Sequence, residues 1–280
     1  KSVDRIIQEV STAHKKMNFG LIQFTDDNFL ARQPKEMDEF FERWTNEIKV
    51  PYWMNTCIET VNEHNLPQLK KSGCVGIGIG METGSDWVRK NLLLKGKMNN
   101  EFYMEKFGLI AKHGIRSTSN SMIGTPGEHE EDFFETIKLN KAIREINRDL
   151  TSFDITYIAP YMGTVIHNIA YEVGLIDVHQ KSGFKGMSTA NITIRREPTM
   201  ENPCMSKERI MELYYDFAAY VNGEKKIPEK FLKIDPSRKY ADNPVSKEIY
   251  ALYEKYKKGP VDPAKIKPRK LGQESYKKSA

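Results

Sequence analysis

The sequence is poor in cysteine, and the cysteines it has are far apart. Cys57, Cys74 and Cys204 are the only three among 280 residues, and no two of them form a Cys-x-x-Cys pair. This usage is typical of reduced thiols in a cytoplasm. A cytoplasmic location is therefore the prediction from the sequence.

Long apolar runs and several common motifs are also missing. No apolar run approaches the roughly 18 residues that span a membrane, so no membrane span is predicted. The six histidines lack metal-ligand spacing, and neither a Ser-His-Asp nor a Cys-His signature is present. No aromatic RNA-binding motif occurs, and nucleic acid is not an expected partner.

Positive charge is concentrated at one end of the chain. The residues from Gly223 onward carry 16 lysines and arginines against 8 acidic residues, a net charge of +8, whereas the residues before them carry −3. Such a tail is either a solvated, partly disordered segment or a surface for an acidic partner, RNA or a membrane. The first of these alternatives is the prediction for residues 223–280.

Strand-like apolar runs recur along the first half of the sequence. They begin near Phe19, Tyr52, Cys74, Ile115 and Ser152, and all but the last lead into a helical pattern. Repeated strand–helix units predict an α/β fold with a parallel sheet, closed or half closed, and chemistry at the carboxyl ends of its strands. The pattern indicates most of a TIM-like barrel.

Three segments are expected along the chain. Residues 1–175 form the barrel, residues 176–222 form an extension with a core helix, and residues 223–280 form the basic tail. The C-terminal region is predicted to be mostly helical, since Lys207–Val221 places its apolar residues on one stripe. Gln180–Glu201 is predicted to be irregular or β-like.

An acidic cluster, Asp26-Asp27-Asn28, directly follows the first strand-like run. Its carboxylates and amide could bind the ammonium group of a ligand or a metal ion. The same residues also suit an ordinary turn in which an Asx side chain caps the connection. The sequence leaves both alternatives open.

One strand carries three glycines at every second position. Gly76, Gly78 and Gly80 share a face of this strand, which is therefore bare. A bare face admits either close packing inside the barrel or a flat ligand. The spacing does not fit the G-x-G-x-x-G dinucleotide fingerprint in any frame. Glu82 follows at the end of the strand, where its carboxylate could accept hydrogen bonds from a sugar or an ammonium group.

The segment IGTPGE, from Ile123 to Glu128, predicts a tight turn between a strand and a helix. Acidic residues crowd the start of that helix: Glu128, Glu130, Glu131 and Asp132. They suit the positive end of the helix but would repel a phosphate there. Phosphate binding is therefore rejected, and backbone contact with a neutral adenine or ribose is left open.

Taken in order, four strand-end motifs resemble the radical S-adenosylmethionine (SAM) superfamily. They are FTDDNF at residues 24–29, GMETGS at 80–85, IGTPGE at 123–128 and APYMGT at 159–164. The resemblance spans about residues 2–175 and is closest to the subclass that usually carries an N-terminal cobalamin-binding domain. Thr125 replaces a leucine that is common in the family, and Met162 replaces a second proline, so the subfamily is left open.

The resemblance implies a partial (β/α)6 barrel whose first strand leads into a Cys-x3-Cys-x2-Cys loop that holds a [4Fe–4S] cluster. Because this sequence has no such loop, the chain is expected to lack the first strand, to begin just after the loop, and to be an inactive fragment of a longer enzyme. The implied chemistry is reductive cleavage of SAM at the cluster to a 5′-deoxyadenosyl radical. In the cobalamin-dependent members a methyl group commonly goes to an unreactive carbon.

The resemblance also implies polar contacts to SAM. The Asp26–Asn28 cluster matches the stretch that contacts the methionyl ammonium group. Glu82 matches the polar strand end near the ribose or methionine moiety. Ser119 and Ser121 lie on the strand where the family often has a ribose contact, and the sequence does not say which of them points inward.

The adenine contacts implied by the resemblance are apolar or made by the backbone. Ile123 and Gly124 match the close-approach stretch beside adenine, and Ala159 and Pro160 match a last-strand segment that offers backbone contacts. The implied partners are a small-molecule or peptide substrate and an electron donor such as flavodoxin or ferredoxin.

Two other hypotheses stay open at this point. In one, the chain is a non-catalytic barrel without a cluster, which binds a ligand or a partner. In the other, it is an unrelated barrel enzyme that uses Asp26, Asp27 and Glu82 as metal ligands or as acid–base groups.

Overall fold

Helices alternate with the strands of a parallel sheet. The structure, a computed structural model, describes residues 1–161, 163–176, 197–198, 200–234, 244–257 and 266–267. The strands are β1 (Ile22–Phe24), β2 (Tyr52–Thr56), β3 (Cys74–Glu82), β4 (Arg116–Ile123) and β5 (Thr151–Tyr157). The α-helices are α1 (Val3–Met17), α2 (Pro34–Arg43), α3 (Asn65–Lys71), α4 (Asp86–Asn91), α5 (Asn100–Lys112), α6 (Glu130–Ile146), α7 (Val165–Glu172), α8 (Lys207–Asn222) and α9 (Pro244–Tyr256). Short 3-10 turns lie at Phe29–Ala31, Ile58–Thr60 and Glu229–Phe231, and a π turn spans Trp44–Ile48.

Within the described residues, the strands form one five-stranded parallel sheet in the order β1-β2-β3-β4-β5. β1 pairs with β2 so that Phe24 faces Met54, and β2 pairs with β3 so that Asn55 faces Gly78. Strands that follow one another in both sequence and space, with helices between them, define an α/β fold built from crossover units. The predicted fold class, part of a TIM-like barrel, is confirmed.

Local sequence signals set the helix ends. The hydroxyl of Ser2 accepts a hydrogen bond from the backbone of Arg5 and so caps α1, and Asn18 ends this helix in a left-handed conformation. Pro34 occupies the first turn of α2, where its missing N–H costs nothing. After Arg43 the helix continues into the wider π turn at Trp44–Ile48.

The chain divides into two compact units. The first unit comprises Lys1–Met81, Asn100–Asn120 and Ala142–Asp154, and the second comprises Glu82–Asn99, Ser121–Lys141 and Ile155–Ala280. The predicted segment boundaries at residues 175 and 222 follow the sequence pattern and remain predictions.

Aromatic rings fill the core of the first unit. Phe24 of β1 lies 4.6 Å from Phe29 and 5.4 Å from Trp44, measured between ring centroids. Phe40 and Tyr52 complete the cluster, and both are fully buried. Most of these pairs meet edge to face, the arrangement that the ring quadrupoles favour. This cluster fixes β1, which leads into the acidic loop, and β2, whose end is contacted by Asn28 of that loop.

Aliphatic and tyrosine side chains form the core of the second unit. Helix α9 contributes Ile249, Leu252 and Tyr253, which pack against Ile169 of α7 and Val88 of α4. The predicted helix at Lys207–Val221 is present as α8. Within the residues that the structure describes, no helix has both the length and the hydropathy to cross a membrane.

Some predictions fall outside the described residues. Most of the Gln180–Glu201 segment, which was expected to be irregular or β-like, lies there. So do most of the last twenty residues, which belong to the predicted basic tail.

Candidate functional site

The two faces of β4 have different surroundings. Ser119 and Ser121 are buried, whereas Thr118 and Asn120 are partly open. The hydroxyl of Ser121 accepts a hydrogen bond of 3.0 Å from the side chain of Asn140 in α6. Because side chains two apart share a face of a strand, both serines lie on the helix-covered side. The ribose contact of the two serines remains a prediction. Asn120, which lies between them in the sequence, points to the opposite face of β4.

The glycine face of β3 is covered by side chains of the neighbouring strand. A Cβ added at Gly76 would lie 1.9 Å from the ring of Trp53, and one added at Gly78 would lie 2.3 Å from Oδ1 of Asn55. The amide Nδ2 of Asn120 is 3.5 Å from the same point at Gly78. The glycines therefore let Trp53 and Asn55 lie flat on the sheet.

The acidic loop in the first unit divides into two parts. Asp26 and Asp27 are exposed, and neither carboxylate has an ion-pair partner within the part of the chain that the structure describes. Asn28 is engaged instead, because its Oδ1 accepts hydrogen bonds from the hydroxyl of Thr56 at 2.6 Å and from the backbone of Cys57 at 3.2 Å. Asn28 thus ties the end of β1 to the end of β2 and leaves the two carboxylates free.

The second unit contains a cleft of about 210 Å³ at the end of β3. It is lined by Glu82, Lys95, Met122 and the side chains of residues 92–94 and 164–166. The lining is mostly apolar, and its charged members form an ion pair, with Nζ of Lys95 2.9 Å from Oε1 of Glu82. An apolar cleft with a small number of fixed polar groups is the usual form of a small-molecule site.

Two residues of this cleft have an unusual backbone conformation. Glu82 has φ +68° and Leu94 has φ +56°, in the left-handed region that non-glycine residues seldom adopt. Asn18 and Lys49, the other non-glycine residues with positive φ among those that the structure describes, end a helix and a π turn, which explains them. Unexplained strain at two positions of one cleft is typical of a functional site.

The turn that follows Glu82 is held by buried polar groups. The fully buried guanidinium of Arg89 donates to the carbonyl of Thr83 at 2.5 Å, and it also contacts the carboxylate of Asp86. The backbone N–H of Gly84 donates to the hydroxyl of Thr136 at 2.8 Å. These contacts fix the backbone of the residues that follow Glu82, so the fold sets the position of the Glu82 carboxylate.

The IGTPGE turn is closed by its own glutamate. One oxygen of Glu128 accepts hydrogen bonds from the backbone N–H groups of Gly124 at 2.8 Å and Thr125 at 3.1 Å. A phosphate bound at this turn would need the same two N–H donors, and the Glu128 carboxylate already uses them. This agrees with the sequence analysis, which rejected phosphate binding here. Complete burial and, after it, the nearby Asp132 raise the pKa of Glu128 to about 8, although the hydrogen bonds from the two N–H groups oppose the shift.

The predicted adenine contacts come together in the second unit. The carbonyl of Ile123 accepts a hydrogen bond of 3.0 Å from the backbone of Ile158, the residue before Ala159. Gly124 has φ +94°, and a Cβ added there would lie 3.8 Å from the side chain of Ile210 in α8. Pro160 is buried and Ala159 is partly open. Their contact with adenine remains a prediction.

The cysteines do not form a cluster site. Cys57 is exposed, Cys74 is buried, and Cys204 is partly buried with its Sγ 3.3 Å from the hydroxyl of Ser246. No group of three or more His, Cys, Asp or Glu side chains within the described ranges could hold a metal ion. A [4Fe–4S] cluster therefore does not fit the residues that the structure describes.

Sequence reasoning missed three side chains of these sites. Lys95 lies beyond α4, and no motif marks it as a partner of Glu82. Asn55 and Asn120 stand on β2 and β4, and the register between strands, which the sequence does not state, brings them together at Gly78. Strand periodicity alone predicts that Asn120 lies on the other face of β4 from Ser119 and Ser121.

Comparison with known proteins identifies similar sequences. The profile of the Radical SAM superfamily matches residues 1–139. An uncharacterized methyltransferase of Pyrococcus horikoshii is 26% identical over 179 residues, which cover 62% of this chain and 37% of the relative. The chain thus spans little more than a third of the length of this relative.

Solved structures with partial similarity include two SAM-dependent radical enzymes. The radical SAM methyltransferase TsrM of Kitasatospora setae, solved with tryptophan and the SAM analogue aza-SAM, has 16% identity and a TM-score of 0.47, over 61% of this chain and 34% of that one. The cobalamin-dependent SAM radical enzyme OxsB, in its apo form, has 17% identity and a TM-score of 0.43, over 84% and 33% of the two chains.

Proposed function

Because this chain belongs, through residues 1–139, to the radical SAM superfamily, we propose that it supplies the SAM-binding barrel of a radical SAM enzyme. The reaction proposed for the whole enzyme is reductive SAM cleavage at a [4Fe–4S] cluster, which generates a 5′-deoxyadenosyl radical. The observation that carries this proposal is the cleft at the end of β3, where Glu82 presents a carboxylate from a strained backbone.

Carboxylates of this chain match the cationic groups and the hydroxyls of SAM. SAM carries an ammonium group, a sulfonium group and ribose hydroxyls, all of which a carboxylate can bind. Asp26 and Asp27 offer free carboxylates, and Glu82 offers a carboxylate that is paired with Lys95. The apolar lining around Glu82 would exclude water from a bound nucleoside, which strengthens each polar contact.

The cluster ligands would come from residues other than those described, since no described trio fits them. The part proposed for this chain is therefore to bind SAM, to orient it and to shield it. Ile123, Gly124, Ala159 and Pro160 would contact adenine, and a ribose contact is proposed for Asn120 in place of the two serines that face the helices.

Methyl transfer is the outcome proposed for the radical reaction. It is supported by the name of the Pyrococcus horikoshii relative, an uncharacterized methyltransferase. Cobalamin dependence and transfer to an unreactive carbon follow from the sequence resemblance and belong to the same proposal. The electron donor would be a small redox protein such as flavodoxin or ferredoxin.

The test is SAM affinity, measured by calorimetry on the whole protein and on variants of two carboxylates. Asp27→Asn and Glu82→Gln keep the size of each side chain and remove its charge. Each should weaken SAM binding by about 10- to 150-fold, the effect of losing one charge-assisted hydrogen bond of roughly 1.5–3 kcal/mol.

Asp149→Asn is the matched control, because Asp149 is an exposed turn residue of the first unit. It should leave the affinity unchanged. Equal SAM affinity in the wild type and in both test variants would show that these carboxylates do not contact SAM. If the wild-type protein does not bind SAM at all, a barrel that binds another ligand or partner becomes the better account.

A further inference from the structure

Two tyrosines of helix α9 hold the backbone of the IGTPGE turn. The hydroxyl of Tyr253 donates to the carbonyl of Pro126 at 3.1 Å. The hydroxyl of Tyr250 donates to the carbonyl of the next residue, Gly127, at 3.2 Å. All four residues belong to the second unit, and Tyr253 is buried. One helix therefore engages two consecutive carbonyls of this turn.

Helix α9 can reach the turn because residue 127 is glycine. Gly127 has φ +91°, and a Cβ added there would lie 3.0 Å from Cγ2 of Ile249 and 3.1 Å from Cε1 of Tyr250. A side chain at this position would strain the backbone and would also press on α9. The close contact thus depends on the glycine of the turn as well as on the tyrosines of the helix.

Other hydrogen bonds hold the remaining backbone groups of the turn. Oδ1 of Asn202 accepts from the N–H of Gly127 at 3.3 Å, and Nδ2 of Asn202 donates to the carbonyl of Glu128 at 2.8 Å. The N–H groups of Gly124 and Thr125 donate to the Glu128 carboxylate. The conformation of the turn is therefore set in part by residues beyond position 200.

The position of the tyrosines indicates more than a contribution to stability. Pro126 follows Ile123 and Gly124, the proposed adenine contacts, by only two or three residues. The ring of Tyr250 also lies 4.6 Å, between centroids, from the ring of Trp87 in α4, the helix that follows the turn after Glu82. Tyr250 thus contacts both the segment after β3 and the segment after β4, and each of these segments carries proposed SAM contacts.

We propose that Tyr250 and Tyr253 are positioning residues for the nucleoside half of SAM, which hold the IGTPGE turn so that Ile123 and Gly124 meet the adenine. A turn that is fixed before the ligand arrives loses less conformational freedom on binding, so the ligand binds more tightly. The proposal rests on the proposed function, because it concerns the same SAM site. It gives α9, which lies beyond the residues that match the superfamily profile, a part in cofactor binding.

The test compares SAM with 5′-deoxyadenosine, which has the nucleoside but no methionine, by calorimetry on the whole protein. Tyr250→Phe and Tyr253→Phe keep each ring and remove the hydroxyl that holds the turn. Each variant should lose about 3- to 10-fold in affinity for both ligands, as expected for one neutral hydrogen bond. Asp27→Asn should weaken the binding of SAM alone, because 5′-deoxyadenosine has no ammonium group.

Tyr215→Phe, at an exposed tyrosine of α8, is the matched control and should leave both affinities unchanged. Urea unfolding is measured in parallel. Wild-type affinities in both α9 variants overturn the proposal even if these variants unfold more easily, since a purely structural role predicts that result. A loss of affinity for SAM that 5′-deoxyadenosine does not share also overturns it, as does a wild type that binds SAM but not 5′-deoxyadenosine. Failure of the proposed function is distinct, because the wild type would then bind neither ligand.

Discussion

Lys95 holds the carboxylate of Glu82 in an ion pair of 2.9 Å inside the cleft at the end of β3. The Lys95 side chain is 44% exposed, whereas that of Glu82 is 19% exposed. The backbone N–H of Lys95 donates to the carbonyl of Arg89 at 2.8 Å, which fixes the loop that carries the lysine. A ligand that binds Glu82 must therefore share or replace the contact from Lys95.

The first prediction follows from this competition. Because SAM is a cation, Lys95→Met removes both a rival for Glu82 and a like charge beside the ligand. SAM should bind the variant about 2- to 5-fold more tightly, the range expected for a partly exposed ion pair. Calorimetry at low and high salt measures this, and the gain should shrink at high salt because ions screen the repulsion.

Lys95→Arg is the control, since it keeps the charge and should leave the affinity close to that of the wild type. Weaker SAM binding by Lys95→Met would contradict the competition and would mean that the lysine itself contacts the ligand.

The second prediction concerns the acidic loop of the first unit. Asn28 is predicted to stabilise the loop, because its Oδ1 accepts hydrogen bonds from the buried hydroxyl of Thr56 and from the backbone of Cys57. Asn28→Ala leaves these donors without that acceptor and should lower the free energy of unfolding by about 1–3 kcal/mol. Urea unfolding measures the change. Asp26→Ala, at an exposed neighbour, should change it by less than about 0.5 kcal/mol, and equal effects of the two variants would contradict the role of Asn28.

The third prediction is a pH dependence that comes from Glu128. Burial, and then the neighbouring Asp132, raise the pKa of this carboxyl from 4.5 to about 8 in the folded protein. Between these values the folded protein keeps a proton that the unfolded chain has released. The stabilisation is therefore complete below pH 4.5 and is lost as the pH rises towards 8, with a slope of at most about 1.4 kcal/mol per pH unit.

Glu128→Gln provides the comparison, because the amide is neutral throughout and can still accept hydrogen bonds from Gly124 and Thr125. Urea unfolding at pH 5 and pH 8 should show a larger loss of stability for the wild type than for the variant. All other residues are the same in both proteins, so their contribution cancels in the difference. Parallel pH profiles would show that Glu128 is ionised in the folded protein.

Much of the fold follows from the sequence because it depends on local patterns. The apolar run predicted to begin near Tyr52 is β2, which begins at that residue. The alternating glycines also predict the bare face of β3. The ring of Trp53 packs closely onto Gly76, which confirms close packing as the use of that position.

Other features depend on contacts between distant segments, which a single sequence does not encode in a readable form. Ser119 and Ser121 are sequence candidates for ribose binding, yet only the position of α6 over β4 shows which face they occupy. The pairing of Lys95 with Glu82 needs the chain to fold back after α4. The raised pKa of Glu128 results from burial under tertiary packing, whereas its position at the start of a helix suggests an ordinary charged residue.

The last prediction compares two glycines that differ in their surroundings. A Cβ at Gly84, two residues after Glu82, would lie 2.3 Å from the carbonyl oxygen of Glu135 and 2.6 Å from Cα of Thr136. Because these are backbone atoms of α6, they cannot move aside without a shift of the helix. Gly84→Ala should therefore lower the free energy of unfolding by about 3 kcal/mol or more, and SAM affinity should fall with it because the turn beside Glu82 is displaced.

Gly108, within α5, has no atom within 4 Å of its Cβ position. Gly108→Ala should raise the free energy of unfolding by about 0.5–1 kcal/mol, since alanine favours a helix interior and has fewer unfolded conformations to lose. Its SAM affinity should equal that of the wild type. Urea unfolding and calorimetry on both variants make the comparison. A Gly84→Ala protein of wild-type stability would mean that the turn after Glu82 and α6 do not approach as closely as the structure shows.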